Sequence, residues 1–309
     1  MSVLATIFPV FFMIGLGMCA RMRGWVTPEQ KSGVSATVFG LLFPILIFSL
    51  MSTVSISADH VLIVGYLTAA YCVALVVGKV LSGFTGERFA HFSNFLLAVQ
   101  EGGSVALPLY VSIVGPSSNT VILDMASMIV VFIVYPVLVQ RAVSEGADAR
   151  AIVRNILTNS FVIAVIAGLF FNFTGLYALL STTPVFELYS GAVEMATAPI
   201  VGMILITIGY DLRVDREMVR PLLRLTLVKV VFYALVMASM LVLFRGLMAD
   251  KDFLMATLIY LSCPSGFAVP AFISPLFRTD DDASFASAFT SLYIVVTLVV
   301  YVCVVAFVA

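Results

Sequence analysis

Charge is what this sequence has least of. Only 11% of its 309 residues are Asp, Glu, Lys or Arg and 62% are hydrophobic, with a mean hydropathy of +1.14. Soluble domains carry about 25% charged residues, so this composition excludes one and leaves an integral membrane protein. Histidine is nearly absent: His60 and His91, both at the ends of apolar runs, exclude histidine-based catalysis inside the membrane. Cys19, Cys72, Cys263 and Cys303 lie within apolar runs and share no metal-ligand spacing, so they read as small buried hydrophobes, and no metal or cofactor site is expected. There is no Gly-x-Ser-x-Gly, no His-Glu-x-x-His and no phosphate-cradling loop, which excludes an intramembrane hydrolase and nucleotide-driven transport by this chain alone. A net charge of −1 excludes a nucleic-acid partner. No ring of like charges marks a channel filter, and the longest connection, near 140–155, is too short for the output domain of a receptor. Nor does a basic segment precede the first apolar run. Arg21 and Arg23 follow it instead, the reverse of a signal peptide, so the first run is expected to be a retained span that starts outside.

Long apolar runs are what the chain has in abundance. They fall near 3–20, 34–52, 60–82, 92–114, 119–139, 156–174, 185–209, 221–244, 253–277 and 284–308, which predicts an all-α membrane protein of ten spans with no soluble domain. The odd-numbered connections and adjoining span ends hold 13 of the 16 lysines and arginines. By the positive-inside rule both termini then face outward from a multi-pass protein of the cell membrane.

The run from His91 to Val114 is long enough to cross a bilayer, yet it holds Gln100, Glu101, Gly102, Gly103 and Pro108 in its middle. Glycine costs a helix about 1 kcal/mol, and proline removes a donor and clashes with the preceding turn. Two half-helices joined by non-helical backbone are predicted. Glu101 lies ten residues inside the run, about 15 Å deep and close to the centre of a ~30 Å hydrocarbon core. Irregular backbone at that depth survives only in protein or beside a polar cavity, and an ionisable group there is a functional candidate. The ninth run repeats the break with Pro264, Gly266, Pro270 and Pro275. SVALPLYVSIV (104–114) aligns with GFAVPAFISPL (266–276), pairing Ala106 with Ala268, Pro108 with Pro270 and Ser112 with Ser274, while Pro44 in the second run answers Pro199 in the seventh. Two five-span halves, 1–145 and 146–309, follow, and an odd number of spans per half makes them inverted repeats with a substrate site where the broken fourth and ninth spans meet.

The prolines of spans two, four, seven and nine, the GYDL that ends span seven and the Leu-Val-Lys of span eight, in this order across nearly the whole chain, resemble the auxin efflux carrier family, including its malonate-transporter-like bacterial members. That family sits with the bile acid/sodium symporters in one inverted-repeat superfamily. The resemblance implies a scaffold of spans 1, 2, 6 and 7, a transport body of spans 3–5 and 8–10, crossover spans four and nine at the substrate site, and a homodimer through the scaffold. It also implies a small organic anion, a mono- or dicarboxylate, as cargo, coupled to H+ or Na+. Where the family usually reads Asn-x-Gly-x-x-Gly-x-Pro, this chain reads Glu101-Gly102-Gly103-Ser104-Val105-Ala106-Leu107-Pro108, with glutamate in the asparagine position and alanine at the second glycine. A carboxylate beside a bound carboxylate is unfavourable unless one is protonated.

Glu101 is therefore the first candidate for proton or cation binding, with a structural carboxyl at a helix break as the alternative. Gln100, Gly103, Ser104, Pro108, Asn94, Ser262, Ser265 and Pro270 flank the two breaks as candidate substrate or ion ligands. Lys229, deep in span eight, matches a lysine usual in the family and could hold a substrate carboxylate. It could equally pair with Glu194, which lies deep in span seven. Asp124, about five residues from the end of its run, reads as a solvated mouth residue, and Ser284, Ser287, Thr290 and Ser291 read as a small-residue packing stripe. The function expected is secondary active transport of a small solute. The readings left beside it are proton-coupled transport of an amino acid or amine, facilitated diffusion, and, from another class, a channel or receptor.

Overall fold

The computed structural model describes residues 3–142, 154, 157–158, 160–211, 219–266 and 269–309, and among them every regular element is a helix. In chain order they are α1 Val3–Met22, α2 Pro28–Thr53, α3 Ala58–Val80, α4 Ser93–Ala98, α5 Gly102–Val114 and α6 Asn119–Val139, α7 Ser160–Phe173, α8 Val185–Tyr210, α9 Val219–Leu243, α10 Lys251–Leu261, α11 Val269–Ile273 and α12 Asp280–Phe307. Six of the described helices are long and apolar enough to cross a membrane, namely α2, α3, α6, α8, α9 and α12 without its first residue, and the stretches Phe8–Met22, Gly102–Val114 and Val162–Phe173 form shorter apolar helices. The link over 143–156 lies almost wholly outside the described residues, as do Arg213, Arg216 and Ala268.

α2 begins six residues before its apolar run. Thr27 accepts from the Gln30 amide, Gln30 returns the bond to the Thr27 amide, and Pro28 occupies the first helical turn, so a capping box starts the helix on polar residues. α8 is interrupted at Pro199, where a ring replaces the amide that would continue the ladder.

The helices form two compact units. The first comprises 1–57, 111–118 and 153–211 and holds α1, α2, α7 and α8. In it α1 packs on α8 and α2 on α7. Gly17 faces the backbone of Ile206, and Gly209 faces the backbone of Ile14, so a side chain at either glycine would occupy the same space as the opposing carbonyl. Small residues at such crossings let two membrane helices approach backbone to backbone. Arg21 donates to the Tyr210 carbonyl at 2.8 Å, and Asn172 of α7 donates to the Val54 and Met51 carbonyls at 2.8 and 3.3 Å, closing the ends of α8 and α2. Outward faces carry Phe8, Phe12, Leu188 and Met195, an apolar surface suited to lipid.

The second unit comprises 58–110, 119–152 and 212–309 and holds α3, α4, most of α5, α6 and α9 to α12. Here α3 packs on α4 and α6, α6 on α10, and α12 on α9 and α10. Cys263 is buried in this unit, but Cys19 and Cys303 are exposed on their helices and Cys72 is half-buried, so three of the four thiols depart from the expected burial. The serine and threonine stripe of α12 also divides: Ser284 and Ser287 are exposed, whereas Thr290 and Ser291 are buried.

Candidate functional site

The fourth run is broken where its glycines fall. α4 stops at Ala98, Val99 and Glu101 are extended, and the chain re-enters helix through a wide turn over Gly102–Ala106 before the regular part, Leu107–Val114. Such widened turns recur at functional positions. The last carbonyls of a helix have no partner within it and must find one elsewhere when buried. Here six consecutive carbonyls are answered by five side chains. Phe95 accepts from Tyr135 at 2.6 Å, Leu96 from Ser265 and from Lys229, Leu97 and Ala98 from the Tyr233 hydroxyl at 3.0 and 2.6 Å, Val99 from Lys229 at 3.0 Å, and Gln100 from Ser127 at 3.2 Å.

Lys229 is fully buried, and its ammonium donates to Leu96 at 3.4 Å, Val99 at 3.0 Å and Ser265 at 3.2 Å, with the Tyr293 ring 5.0 Å away. A cation at the carboxyl end of a helix and over an aromatic face is favourably placed. Lys229 answers its burial with carbonyl and hydroxyl oxygens, and Glu194 lies exposed on α8 in the first unit.

The ninth run breaks at Ser262–Gly266, and the two breaks are bonded to each other in both directions. Gln100 donates from Nε2 to the Leu261 carbonyl at 3.2 Å, Glu101 donates its amide to the Pro264 carbonyl at 2.8 Å, and Ser265 donates to the Leu96 carbonyl. Ser262 turns back to the Ile259 carbonyl at 2.8 Å and has its own carbonyl taken by Thr297 at 2.7 Å.

Glu101 sits at the meeting point, half-buried. Its Oε1 accepts from the Ser104 amide at 3.0 Å and from the Ser104 hydroxyl at 2.5 Å, capping the second half-helix. Its Oε2 faces the other break, where a Cβ added to Gly266 would lie 3.4 Å away. A carboxylate at a helix amino end is favoured by the unpaired amides there. The structure thus brings Gln100, Glu101, Gly103, Ser104, Ser262, Ser265 and Lys229 together around one junction, with Pro108 buried in α5 and Pro270 half-buried in α11. It does not bring Asn94 there. Asn94 lies in the first turn of α4, facing α3, with its side-chain amide 3.5 Å from the Leu75 carbonyl and its backbone against Gly78.

Asp124 corrects the sequence reading. It is 8% exposed and its carboxyl packs against Gly102, inside the unit instead of at a mouth. Tyr260 of α10 donates to its Oδ1 at 3.3 Å, Tyr71 of α3 donates to Tyr260 at 2.9 Å, and Ser127 lies 2.7 Å from the Tyr260 hydroxyl. Ser127, Tyr260, Tyr71, Tyr233 and Tyr135 were not among the residues singled out from the sequence. The hydroxyls carry no local motif, and only the i, i+4 spacing of Lys229 and Tyr233 on one face of α9 hinted at a shared target.

Two interrupted helices are thus joined break to break through polar groups inside an apolar helical bundle, an arrangement that helical membrane proteins with broken spans also use. The model of a family described as membrane transport protein matches residues 2–155, so over that stretch the chain is similar to membrane transport proteins. No curated protein matches the chain.

Proposed function

We propose that this protein is a secondary active transporter that moves a small organic solute across the cell membrane by alternating access. The observation that carries the reading is the junction of the two breaks, where a half-buried carboxyl, Glu101, stands between two half-helices bonded to one another. The similarity to membrane transport proteins over residues 2–155 supports the class, and the resemblance to auxin efflux carriers supports the route. In this reading the unit holding α3 to α6 and α9 to α12 carries the junction, and the unit holding α1, α2, α7 and α8 is the scaffold, through which a homodimer would form.

The organic-anion cargo expected from the resemblance needs a cation to meet it, and Lys229 directs its ammonium to three oxygens of the junction itself. The acceptors that remain at the junction include the Glu101 carboxyl and the Gln100 side-chain oxygen. They favour the second reading, an amine-bearing solute such as an amino acid, with Glu101 as its counter-charge and a proton or sodium ion as coupling partner. The test is uptake of labelled carboxylates and amino acids into proteoliposomes under imposed proton or sodium gradients, for wild type and Glu101→Gln. Gradient-driven uptake of an amine-bearing solute that Glu101→Gln abolishes supports the reading. Uptake of a dicarboxylate that Glu101→Gln leaves intact would return the cargo to the organic anions and make Glu101 a helix cap only.

A further inference from the structure

We propose, resting on that transport reading, that Asp124 is the residue that holds the coupling proton, and that Tyr260 and Ser127 pass its protonation state to the backbone of the break at Gln100. A carboxyl is hard to keep charged when buried unless a cation stands beside it. Among the described residues, the titratable groups that face Asp124 supply none. They are Glu101 across Gly102, the hydroxyls of Tyr260 and, behind it, Tyr71, and the Cys263 thiol. The nearby cation of the junction, Lys229, is held on Leu96, Val99 and Ser265. Asp124 is the more deeply buried of the two carboxyls, packed against Gly102, and burial favours the neutral form of a carboxyl.

The hydroxyl chain gives that proton a consequence. Tyr71 donates to Tyr260, so the Tyr260 oxygen is already an acceptor and its single proton has two targets, Asp124 and Ser127. With Asp124 ionised, Tyr260 donates to Oδ1, and the Ser127 proton is free to turn to either Tyr260 or the Gln100 carbonyl. With Asp124 protonated, its new O–H donates to Tyr260, the Tyr260 proton swings to Ser127, and Ser127 is left one acceptor, the Gln100 carbonyl at 3.2 Å. No proton leaves a hydroxyl in this sequence. One proton binds to Asp124, two O–H bonds rotate, and the grip on the carbonyl beside Glu101 tightens. Proton binding is thereby linked to the backbone that presents Glu101 to the cargo.

The experiment is an infrared titration of the full chain in lipid nanodiscs without solute, following the carbonyl stretch of protonated carboxyls in wild type, Asp124→Asn, Glu101→Gln and Tyr260→Phe. The expected result is a protonated-carboxyl band at neutral pH that is lost in Asp124→Asn, kept in Glu101→Gln and displaced in Tyr260→Phe. A band that survives Asp124→Asn, or one that disappears with Glu101→Gln, overturns the proposal. Should Asp124→Asn not fold, an undisplaced band in Tyr260→Phe overturns it alone. The second arm is uptake of labelled malonate, lactate and leucine into proteoliposomes. For one-proton symport of the solute that wild type carries, accumulation rises about tenfold per unit of imposed pH difference, and Asp124→Asn is expected to reduce that ratio to about one. Proton-driven accumulation that survives in Asp124→Asn overturns the proposal and leaves the transport reading standing. Wild-type protein that takes up no solute overturns the transport reading, and the infrared band still decides where the proton sits.

Discussion

Tyr233→Phe removes one oxygen from the core and leaves a ring of the same shape. Its hydroxyl is the donor recorded for two carbonyls, Leu97 at 3.0 Å and Ala98 at 2.6 Å, at the end of a half-helix that lipid cannot solvate. The variant strips the proton from both and adds no cavity larger than the oxygen. A buried acceptor left without a donor costs about 1–3 kcal/mol, and because one proton served two acceptors unequally, the loss should come near the middle, about 2 kcal/mol. Reversible unfolding in mixed micelles, followed by far-ultraviolet circular dichroism, reads it. Lys229 holds the neighbouring carbonyls of the same end, so once Tyr233 has released it the second loss should cost less. A cycle with Lys229→Met is expected to be non-additive by roughly 0.5–1 kcal/mol. Stability within about 0.5 kcal/mol of wild type for Tyr233→Phe, or strict additivity with Lys229→Met, would show that the half-helix end is not held by these side chains and would refute the accounting of its carbonyls.

Gly102→Ala drives a methyl group into the Asp124 carboxyl and is expected to cost about 1–3 kcal/mol by overpacking, measured in the same unfolding assay. Gly17→Ala and Gly209→Ala each press on an opposing carbonyl at the α1–α8 crossing and should each destabilise the first unit by a similar roughly 1–3 kcal/mol; a neutral outcome for both would mean that the helices cross elsewhere. Asn172→Leu removes the donor shared by Met51 and Val54 and should cost about 1–2 kcal/mol, whereas Asn172→Gln should recover part of it, as read by thermal unfolding in detergent.

The break in the fourth run was legible because glycine and proline act on the backbone locally, and residues 99–106 leave the α-helix where those residues cluster. Glu101 was legible for the same reason. Asp124 was not, because counting residues from the end of a run measures depth along one helix and ignores which neighbouring backbone stands beside it. The bareness of Gly102, which no pattern in residues 119–139 announces, is what lets that backbone approach. Lys229 was visible as a buried charge, but two of its three partners are carbonyls, and a carbonyl has no letter in a sequence. The early start of α2 was there to be read in Thr27-Pro28-Glu29-Gln30, a polar signal outside the apolar run that marked the span.

A gap in a helix is usually pictured as the place where a span bends. This one is clamped. With each carbonyl from Phe95 to Gln100 tied to a side chain of α6, α9 or the opposite break, the interrupted stretch has little freedom to flex by itself. Displacement of α4 would drag those neighbours with it, so the backbone beside Glu101 is coupled to α6, α9 and the opposite break and does not move alone.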